Sequence, residues 1–465
     1  MNRRTFIKGS GVAAGTFMIV PSRFVLGQKS SSGNLPPSEE IKFALIGAGR
    51  QGIVNMKSML RTQLCRLVAI CDADLNHSLP KKVMKAHPEV PAFTDFRVMF
   101  EKMGDQLDSV VIATPDHAHF SAAMLAMSLG KHLYLQKPIA PTFGQCERLM
   151  KMAEQSNVVT QMGNQGHSGA NYFQFKSWAE AGVIKDITRI DAWFCGDNVL
   201  NLRGKPFTDY PSDPVPDGLD WDQWMDGAQM VPYSEQIHPR LWRNWYNLGG
   251  GAIGDWGAHI VDTAHRFLKL GMPDKITVVK REGVNNFVFP KASTLRFDFP
   301  AREGMPPCEL NWYDGVGNTP TIDTEYGNLD TSGQRVPIEL KVDSKGKVLY
   351  GKDLTFLGGS HGDALRVIPR DRMKEVHASL PKFPSKNSDH FKNFALACRG
   401  EEEARSPFSI AAPLCQMLNL GQIAQRLGGE LNFDRETNTF ANNEEANAFL
   451  DPAPRAGWEE YFHMV

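Results

Sequence analysis

Near the start of the chain stands the stretch Ile41-Lys-Phe-Ala-Leu-Ile-Gly47-Ala-Gly49-Arg-Gln-Gly52. A short apolar run that ends in glycine, continues as Gly-x-Gly-x-x-Gly and opens a helical pattern is typical of a dinucleotide-binding strand, turn and helix. Gly47 permits the tight turn, Gly49 lets the backbone approach a pyrophosphate, and Gly52 allows close packing of the helix on the strand. The helix N-terminus then faces the negative charge of the phosphates.

A second apolar run follows as Arg66-Leu-Val-Ala-Ile-Cys-Asp72 and ends in a carboxylate. At this distance from the glycines, a carboxylate accepts hydrogen bonds from the ribose hydroxyls of NAD and repels the 2′-phosphate of NADP. Asp72 is therefore predicted to select NAD, with a helix N-cap as the alternative. Arg50 and Gln51 of the glycine loop are predicted to contact the same cofactor, and Arg50 is the side chain that would favour NADP.

Short apolar strands and helical patterns continue to alternate beyond this unit. Repeated strand–helix–strand units with short loops predict a parallel, doubly wound sheet over residues 38–162. The predicted strands are 108–115, 132–138 and 158–162, and the predicted helices are 119–130 and 144–156.

Composition narrows the function classes. The 465 residues are 42% hydrophobic and 22% charged, which is ordinary for a globular protein and excludes long-range disorder, collagen and a multi-span membrane protein. Lys and Arg number 51 against 52 Asp and Glu, so the basic excess of a typical nucleic-acid-binding protein is missing. The 7 cysteines form no C-x-x-C pair, which argues against a zinc knuckle and a thioredoxin-like site. The length predicts two domains.

The first residues have the pattern of a targeting segment. Arg3 and Arg4 are followed by Phe6 and Lys8 and then by an apolar run over residues 11–20, which is too short to cross a bilayer as a helix. This is typical of a twin-arginine export signal, with a disordered basic tail as the alternative. Residues 1–37 are therefore predicted to be a signal and spacer, and the protein to be periplasmic or otherwise exported.

Four motifs in order along the chain now carry a family resemblance. They are Gly47–Gly52, Thr114-Pro115-x-x-x-His119, Lys137-Pro138 and the stretch from Gly249 through Asp255 and His259 to Asp262. This arrangement resembles the Gfo/Idh/MocA family, named after glucose-fructose oxidoreductase, inositol dehydrogenase and rhizopine catabolism. The resemblance implies a second α/β domain over residues 163–465, built on a large, open, mostly antiparallel sheet. It also implies a nicotinamide cofactor, sugar or polyol substrates, and a homodimer or homotetramer.

The resemblance also implies a catalytic set of Lys137, Asp255 and His259. Asp255 and His259 are spaced i,i+4, so a helix presents both on one face. His259 would take the proton from a sugar hydroxyl, for which an imidazole with an ordinary pKa near ~6.5 is suited. Lys137 would reach the same hydroxyl from the cofactor side. The family usually has Glu before this lysine, whereas here Gln136 removes a negative charge that would make Lys137 harder to deprotonate.

The remaining predicted contacts fall into two groups. Thr114, Pro115, His119, Gln136 and Lys137 are predicted to contact the cofactor by resemblance to the family. Substrate contacts are predicted after the last strand of the first domain, where an open α/β sheet has its ligand crevice, and just before the Gly249 turn. They are Asn164, His167, Arg240, Trp242, Trp245 and His259, with core packing as the alternative for the tryptophans and a loop role for His167.

No metal is predicted. Asp255, His259, Asp262 and His265 are residue types that bind zinc or iron, but lysine and histidine can carry the acid–base work without a metal. Asp262 and His265 are instead interpreted as structural.

The sequence as a whole predicts an exported, NAD-dependent oxidoreductase that acts on a hydroxyl of a sugar or glycoside. An exported enzyme has no replenished pool of free NAD, so the cofactor is predicted to be tightly bound. Two alternatives remain open: a redox-neutral, NAD-dependent glycosidase or lyase, and a non-enzymatic sugar- or nucleotide-binding protein on the same fold. No nucleic-acid partner and no membrane span are predicted.

Overall fold

A computed structural model describes residues 39–197, 199–384, 387–441 and 443–465. The predicted twin-arginine signal and spacer, residues 1–37, lie outside these residues. Within the described residues, no helix combines the length and the apolar character that a membrane crossing requires.

The first half of the chain alternates between strands and helices, as predicted. Its elements are β1 (Ile41–Ile46), α1 (Arg50–Arg61), β2 (Cys65–Cys71), α2 (Ser78–Ala86), β3 (Ala92–Phe93), α3 (Phe96–Met103), β4 (Ser109–Ile112), α4 (Phe120–Ser128), β5 (His132–Leu135), α5 (Phe143–Ser156) and β6 (Thr160–Met162).

These strands form a sheet of six in the described residues, in the order β3-β2-β1-β4-β5-β6, and every neighbouring pair is parallel. This confirms the predicted doubly wound sheet. Parallel strands covered by helices on both faces need nearly continuous apolar runs, and β1 and β4 have them. The loops after β1, β2, β4 and β5 all leave the same edge of the sheet, so the predicted cofactor residues share one crevice.

The second half contains a larger sheet and several helices. Its elements are α6 (Ala170–Glu180), β7 (Ile187–Phe194), α7 (Trp221–Met225), α8 (Gly251–Ile260), α9 (Asp262–Phe267), β8 (Lys275–Glu282), β9 (Ala292–Phe299), β10 (Cys308–Asp314), β11 (Asn328–Leu329), β12 (Arg335–Val336), β13 (Lys345–Gly351), β14 (Thr355–Gly358), β15 (Arg366–Ile368), α10 (Arg370–Val376), α11 (His390–Cys398), α12 (Phe408–Leu427), β16 (Glu430–Asp434), β17 (Thr439–Phe440) and α13 (Glu444–Ala448).

Nine of these described strands form the sheet β15-β14-β13-β7-β10-β9-β8-β16-β17. All neighbouring pairs are antiparallel except β7 and β10, which run parallel. The predicted large, mostly antiparallel sheet is therefore confirmed. The strands β7, β13 and β14 consist mostly of buried side chains, which divide between two core clusters, so this part of the sheet is covered on both faces.

Helix α12 joins the two sheets into one unit that runs from Ile41 to Val465. It packs on α5 of the first half and on α8, β8 and β9 of the second. The sequence predicts an amphipathic helix over residues 411–427, but most side chains of α12 are buried, including Gln422 and Gln425. A helix packed between two layers has no solvent-facing side. Gln425 Nε2 donates to Ser293 Oγ at 2.6 Å and to Asp314 Oδ2 at 2.8 Å.

Candidate active site

Lys137 and Asp255 come from different halves of the chain and meet in an ion pair. Lys137 follows β5, and Asp255 lies on α8. Lys137 Nζ donates to the backbone carbonyl of Asp255 at 2.9 Å and also to its carboxylate Oδ1. Arg243 Nε donates to the same Oδ1 at 3.1 Å. Two cations thus converge on one buried carboxylate at the edge where the parallel strands end.

The charges around Asp255 keep it ionised. Burial alone would raise its pKa, but the positive charges of Lys137 and Arg243 outweigh burial and hold the pKa of Asp255 well below its ordinary range. Asp255 therefore supplies the negative charge next to Lys137 that Gln136 does not. The Gln136 side chain is buried against Gly163, and its Nε2 has no hydrogen-bond partner among the described residues.

His259 lies one turn after Asp255 on α8 and is only 6% exposed. Burial, followed by the charges of Lys137 and His361, lowers the pKa of His259 well below 6.5. Its Nδ1 is buried and has no hydrogen-bond partner among the described residues. A neutral imidazole with a free nitrogen at an ion-paired lysine and carboxylate is equipped to accept a proton.

A second imidazole covers that of His259. His361 stands in the turn between β14 and β15, and its ring lies 4.0 Å from the His259 ring, centroid to centroid, with an angle of 26° between the planes. His361 itself is exposed. The candidate site therefore contains two stacked histidines, one inner and one outer.

The loop after β4 fastens the first half of the chain to the start of α8. Asp116 Oδ2 accepts a hydrogen bond from Gly250 N at 3.1 Å. Burial raises the pKa of Asp116 to about 6, although the charges of Arg243 and Lys137 act against this. The His117 ring bridges the carbonyl oxygens of Trp224 at 2.7 Å and Leu248 at 3.2 Å. These contacts fix α8, and with it Asp255 and His259, against the cofactor edge.

The side chains of Thr114 and His119 bond to backbone carbonyls of the loops after β4 and β5. His119 is 1% exposed, and its ring contacts the carbonyl oxygens of Pro138 at 2.7 Å and Thr114 at 3.0 Å. Thr114 Oγ1 donates to Ala118 O at 3.0 Å. His119 thus braces the loop that carries Lys137 instead of offering a ring nitrogen to the predicted cofactor. Pro115 is half-buried at the same edge.

The glycine loop has the shape that a bound NAD requires. A Cβ on Gly52 would lie 1.9 Å from Gly47 O, and Gly47 has a φ of 86° and lies against the backbone of Ala113. Gly49 differs, because a Cβ at this position would meet nothing within 4 Å. No side chain caps the start of α1, so its N-terminal amides can receive a pyrophosphate. The residues present therefore fit the cofactor.

Asp72 lies at the end of β2, facing this loop. Its Oδ2 accepts a hydrogen bond from Ala48 N at 2.7 Å, and its Oδ1 accepts one from Asp74 N at 2.9 Å. Burial raises the pKa of Asp72, and these two backbone donors oppose the rise. Arg50 and Gln51 are exposed on α1. Asp72 thus ties the glycine loop to the place predicted for the ribose.

Two of the predicted substrate-binding residues, His167 and Asn164, form hydrogen bonds with buried side chains of the protein. His167 is 1% exposed, with Nδ1 2.9 Å from Asp262 Oδ2 and Nε2 2.9 Å from Arg266 Nη1. Since Arg266 can only donate, His167 Nδ1 carries the proton and neither nitrogen is left for a substrate. Asn164 Nδ2 donates to the same Asp262 oxygen at 3.3 Å, while Asn164 Oδ1 has no partner among the described residues.

The aromatic residues before the Gly249 turn are packed as core residues. Trp245 is 0% exposed, and its indole N–H donates to Gln236 O at 2.9 Å. Trp242 is 4% exposed and stacks beneath the guanidinium of Arg243, which lies 4.0 Å from the ring centroid. The structure therefore gives both tryptophans the core role. Arg240 is exposed and makes no contact with Asp255, which is bound by Arg243 instead.

A long segment rich in Pro, Asp and Gly, predicted as a functional loop over residues 197–236, reaches back to the first half. Asp220 N donates to Ala73 O at 2.9 Å, and Asn76 Nδ2 donates to Asp217 O at 3.3 Å. The same segment also meets His117, through the carbonyl oxygen of the α7 residue Trp224. It is thus anchored after both β2 and β4, on either side of the cofactor crevice.

Three residues of the site escape prediction from the sequence. Arg243 lies three residues after Arg240, and only the fold shows which arginine faces Asp255. Asp116 lies inside the Thr114–His119 motif, in which only Thr114, Pro115 and His119 are predicted as site residues. His361 lies in a Gly-Gly-Ser-His-Gly turn, where the glycines are the one signal of a special backbone. Among the described residues, no three His, Cys, Asp or Glu side chains are grouped so as to hold a metal ion.

The chain matches two family descriptions. Residues 41–164 match "Oxidoreductase family, NAD-binding Rossmann fold", and residues 200–283 and 321–460 match "Oxidoreductase family, C-terminal alpha/beta domain", both of the Gfo/Idh/MocA type. A glycosyl hydrolase family 109 protein of Shewanella pealeana is 23% identical over 207 residues, which are 41% of this chain and 45% of that protein. An alpha-N-acetylgalactosaminidase of Shewanella oneidensis is 24% identical over 208 residues, with the same two shares. The match spans less than half of these curated relatives.

Two solved structures share the fold. The WlbA dehydrogenase of Bordetella pertussis, in complex with NADH and UDP-GlcNAcA, has a TM-score of 0.57 and 15% identity over 85% of this chain and 99% of that one. The aldose-aldose oxidoreductase of Caulobacter crescentus, in complex with glycerol, has a TM-score of 0.53 and 13% identity over 85% of this chain and 100% of that one.

Proposed function

Since the chain belongs to the Gfo/Idh/MocA family of NAD-binding oxidoreductases, we propose that it transfers hydride between NAD and a hydroxyl-bearing carbon of a sugar or glycoside. The observation that carries the proposal is the meeting of Lys137, Asp255 and neutral His259 at the carboxyl edge of the parallel sheet. That edge is where an open α/β sheet binds its ligand.

The residues of the site divide the work of the reaction. NAD, when bound, accepts or returns the hydride of the carbinol carbon. The glycine loop and Asp72 hold the dinucleotide. His259 takes the hydroxyl proton on its free nitrogen, and Lys137 donates a hydrogen bond to the same oxygen. Asp255, held by Lys137 and Arg243, keeps the ammonium in place.

Sugar substrates are supported by the relatives. The WlbA dehydrogenase is in complex with a nucleotide sugar, and the aldose-aldose oxidoreductase is named for its sugars. The two stacked histidines and the buried ion pair provide hydrogen-bonding groups for a hydroxylated ring. These observations favour a sugar or glycoside over an apolar alcohol.

We also propose that NAD stays bound between turnovers and that the protein works after export. The segment from Asp217 to Trp224 is anchored after β2 and after β4, on either side of the crevice predicted to hold NAD. Release of the dinucleotide requires these contacts to open. A retained cofactor suits an exported enzyme, because the hydride then leaves on a second sugar or returns to the same molecule.

A redox-neutral glycosidase is the second candidate. The curated relatives are named as glycosyl hydrolase family 109 proteins and as an alpha-N-acetylgalactosaminidase, and glycosidases that use NAD without net oxidation exist. In this reaction the hydroxyl is oxidised, the neighbouring C–H is lost as a proton, the glycosidic bond breaks, water adds and the hydride is returned. The net change is hydrolysis, and no reduced nucleotide accumulates.

Purified protein, denatured to release its nucleotide, tests both candidates. We expect NAD or NADH in a stoichiometric amount, and a single burst of reduction when a panel of sugars and methyl glycosides is added to the intact protein. Further turnover that requires an acceptor sugar supports the oxidoreductase, and release of methanol without net reduction supports the glycosidase. Empty protein that reduces free NAD continuously would refute the retained cofactor.

A further inference from the structure

We propose that His361 contacts the substrate beside His259 and serves as a second proton-transfer residue of this site. The proposal rests on the proposed function, because it assigns His361 to the site of hydride transfer. His361 lies in the turn after β14, which is separate from both the glycine loop and α8.

The position of the ring carries the proposal. The His361 imidazole stacks on His259 at 4.0 Å, and the Trp256 ring meets it edge-on at 5.1 Å. His259 is buried, whereas His361 is exposed, so a substrate that reaches His259 passes the outer ring. Ser360 Oγ lies 3.0 Å from His361 Nδ1, and no other hydrogen bond to this ring is found among the described residues.

The turn is held in place by backbone packing. A Cβ on Gly166 would lie 2.6 Å from the carbonyl carbon of His361, and one on Gly362 would lie 2.6 Å from Gly166 O. Asn171 N donates to Gly362 O at 2.9 Å. The two turns therefore touch backbone to backbone, and this contact sets the position of His361 over α8.

His361 adopts a conformation that a glycine would adopt more easily. Its φ is 52°, in the left-handed region, which is strained for a residue with a side chain. Strain of this kind persists where the surrounding structure enforces it, and it is concentrated at functional sites. An imidazole at this position, between glycines, points to a use for the ring.

The groups that face His361 favour its neutral form. Partial desolvation of the ring, followed by the charges of Lys345 and Lys137, lowers the pKa of His361, while Asp363 and Asp255 act in the opposite direction. His259, stacked against it, has a lowered pKa as well. A proton on one ring disfavours a proton on the other, so the pair accepts protons one at a time.

Oxidation of one hydroxyl requires one proton acceptor, whereas this site contains two neutral imidazoles. His259 takes the hydroxyl proton, and the new carbonyl acidifies the neighbouring C–H bond. His361 takes that proton on a ring nitrogen, and the electron pair stays on the substrate as an enolate. Where the next carbon carries a glycosidic oxygen, this pair expels it, the C–O bond breaks, and the proton on His361 goes to the departing oxygen. The step needs no further oxidant.

Exchange of this C–H bond in heavy water provides the test. The variant is His361→Asn, because asparagine tolerates the left-handed region better than other residues, and His361→Gly is a second variant that fits the same φ. His377→Asn, an exposed histidine elsewhere, is the matched control. The probe is whichever methyl glycoside of glucose, galactose or N-acetylgalactosamine reduces the bound nucleotide of the wild type. Released nucleotide, the reduction burst, and deuterium incorporation by NMR are measured.

In both variants we expect full nucleotide content and a loss of deuterium incorporation that exceeds any loss of the reduction burst by about 100-fold or more, the range of general-base catalysis. Unchanged incorporation would overturn the proposal. Loss of burst and incorporation together, with the nucleotide retained, would also overturn it, because His361 would then only position His259. If no probe reduces the bound nucleotide of the wild type, the proposed function is refuted, and the proposal for His361 with it. A normal burst in the wild type with unchanged incorporation in the variants refutes the proposal for His361 alone.

Discussion

The ammonium of Lys137 donates to both the backbone carbonyl and the carboxylate of Asp255, 118 positions later in the chain. One residue follows a strand of the parallel sheet, and the other lies on a helix that packs on the large sheet. This ion pair therefore joins the side of the site that holds NAD to the side that holds the proton acceptor.

Alanine at Gly49 separates cofactor binding from folding. Gly49 has a φ of −72°, and a Cβ there would meet nothing within 4 Å, so Gly49→Ala changes the stability of the empty protein by no more than about 0.5 kcal/mol. The methyl group occupies the place of the pyrophosphate, so NAD binding weakens more than about tenfold. Gly52→Ala is the contrasting variant, because its Cβ would lie 1.9 Å from Gly47 O and must disturb the fold. Nucleotide content and thermal unfolding measure both effects, and equal results for the two variants would contradict the expectation.

Asp72→Ala weakens NAD binding at least about tenfold, because one charge-assisted hydrogen bond contributes about 1.5–3 kcal/mol. The variant also frees the amides of Ala48 and Asp74 that the carboxylate now binds. Calorimetric titration of the emptied protein with NAD and NADP measures the change. Asp108→Ala is the control, since Asp108 accepts a backbone hydrogen bond from Lys42 at the opposite edge of the sheet. Tighter binding of NADP than of NAD by the wild type would refute the role of Asp72.

Arg243→Ala lowers the rate of the reduction burst by about 10- to 100-fold, the effect of losing one hydrogen bond to a charged group. The nucleotide stays bound, because Arg243 contacts Asp255 and not the glycine loop. Stopped-flow absorbance of the reduced nicotinamide measures the rate. Arg372→Ala, which removes an exposed arginine paired with Glu375, leaves the rate unchanged. A normal burst in Arg243→Ala would show that Lys137 alone holds Asp255.

His390 makes stability depend on pH below neutrality. Its Nε2 donates to Met162 O at 2.8 Å, and its Nδ1 accepts from Ser168 Oγ at 2.7 Å, so the neutral ring is fully bonded. Burial lowers the pKa of His390 from 6.5 to about 4. At pH values between these two pKa values, the unfolded chain binds one proton more than the folded protein at this histidine. The free energy of unfolding is therefore highest above pH 6.5 and falls by about 1.4 kcal/mol for each pH unit below it.

The free energy of unfolding of His390→Gln, measured in urea at pH 5 and pH 6, therefore depends less on pH than that of wild type, by up to about 1.4 kcal/mol per pH unit. His377→Gln, at an exposed histidine, leaves the pH dependence as it is. If the unfolding free energy of His390→Gln depended on pH as strongly as that of wild type, the buried neutral ring of His390 would not be the cause of the pH dependence.

Replacement of Arg3 and Arg4 by lysine is expected to keep the protein in the cytoplasm, because the twin-arginine pathway depends on the arginine pair. Cell fractionation and immunoblotting measure the distribution. Replacement of Lys8 by arginine keeps the charge and the arginine pair, and serves as the control. An exported amount equal to wild type would refute the signal.

Local pattern was sufficient for the first sheet and for its cofactor. Buried parallel strands need continuous apolar runs, and the glycine loop and Asp72 follow two of them directly, so the residues that hold NAD are close together in the sequence. The same holds for Asp255 and His259, whose i,i+4 spacing places them on one helix face. The two-residue strand β3 is too short to form a pattern.

The remaining part of the site was decided by tertiary contacts. Trp245 and His167 have residue types that suit a sugar site, but packing and hydrogen bonding use them inside the protein. Arg243 reaches Asp255 from a short 3-10 helix, and His361 reaches His259 from a turn. The local sequence of these connections does not specify where their side chains point. Side-chain periodicity reports on burial within one element, whereas partners that lie far apart in the chain are chosen by how the two sheets and α12 pack together.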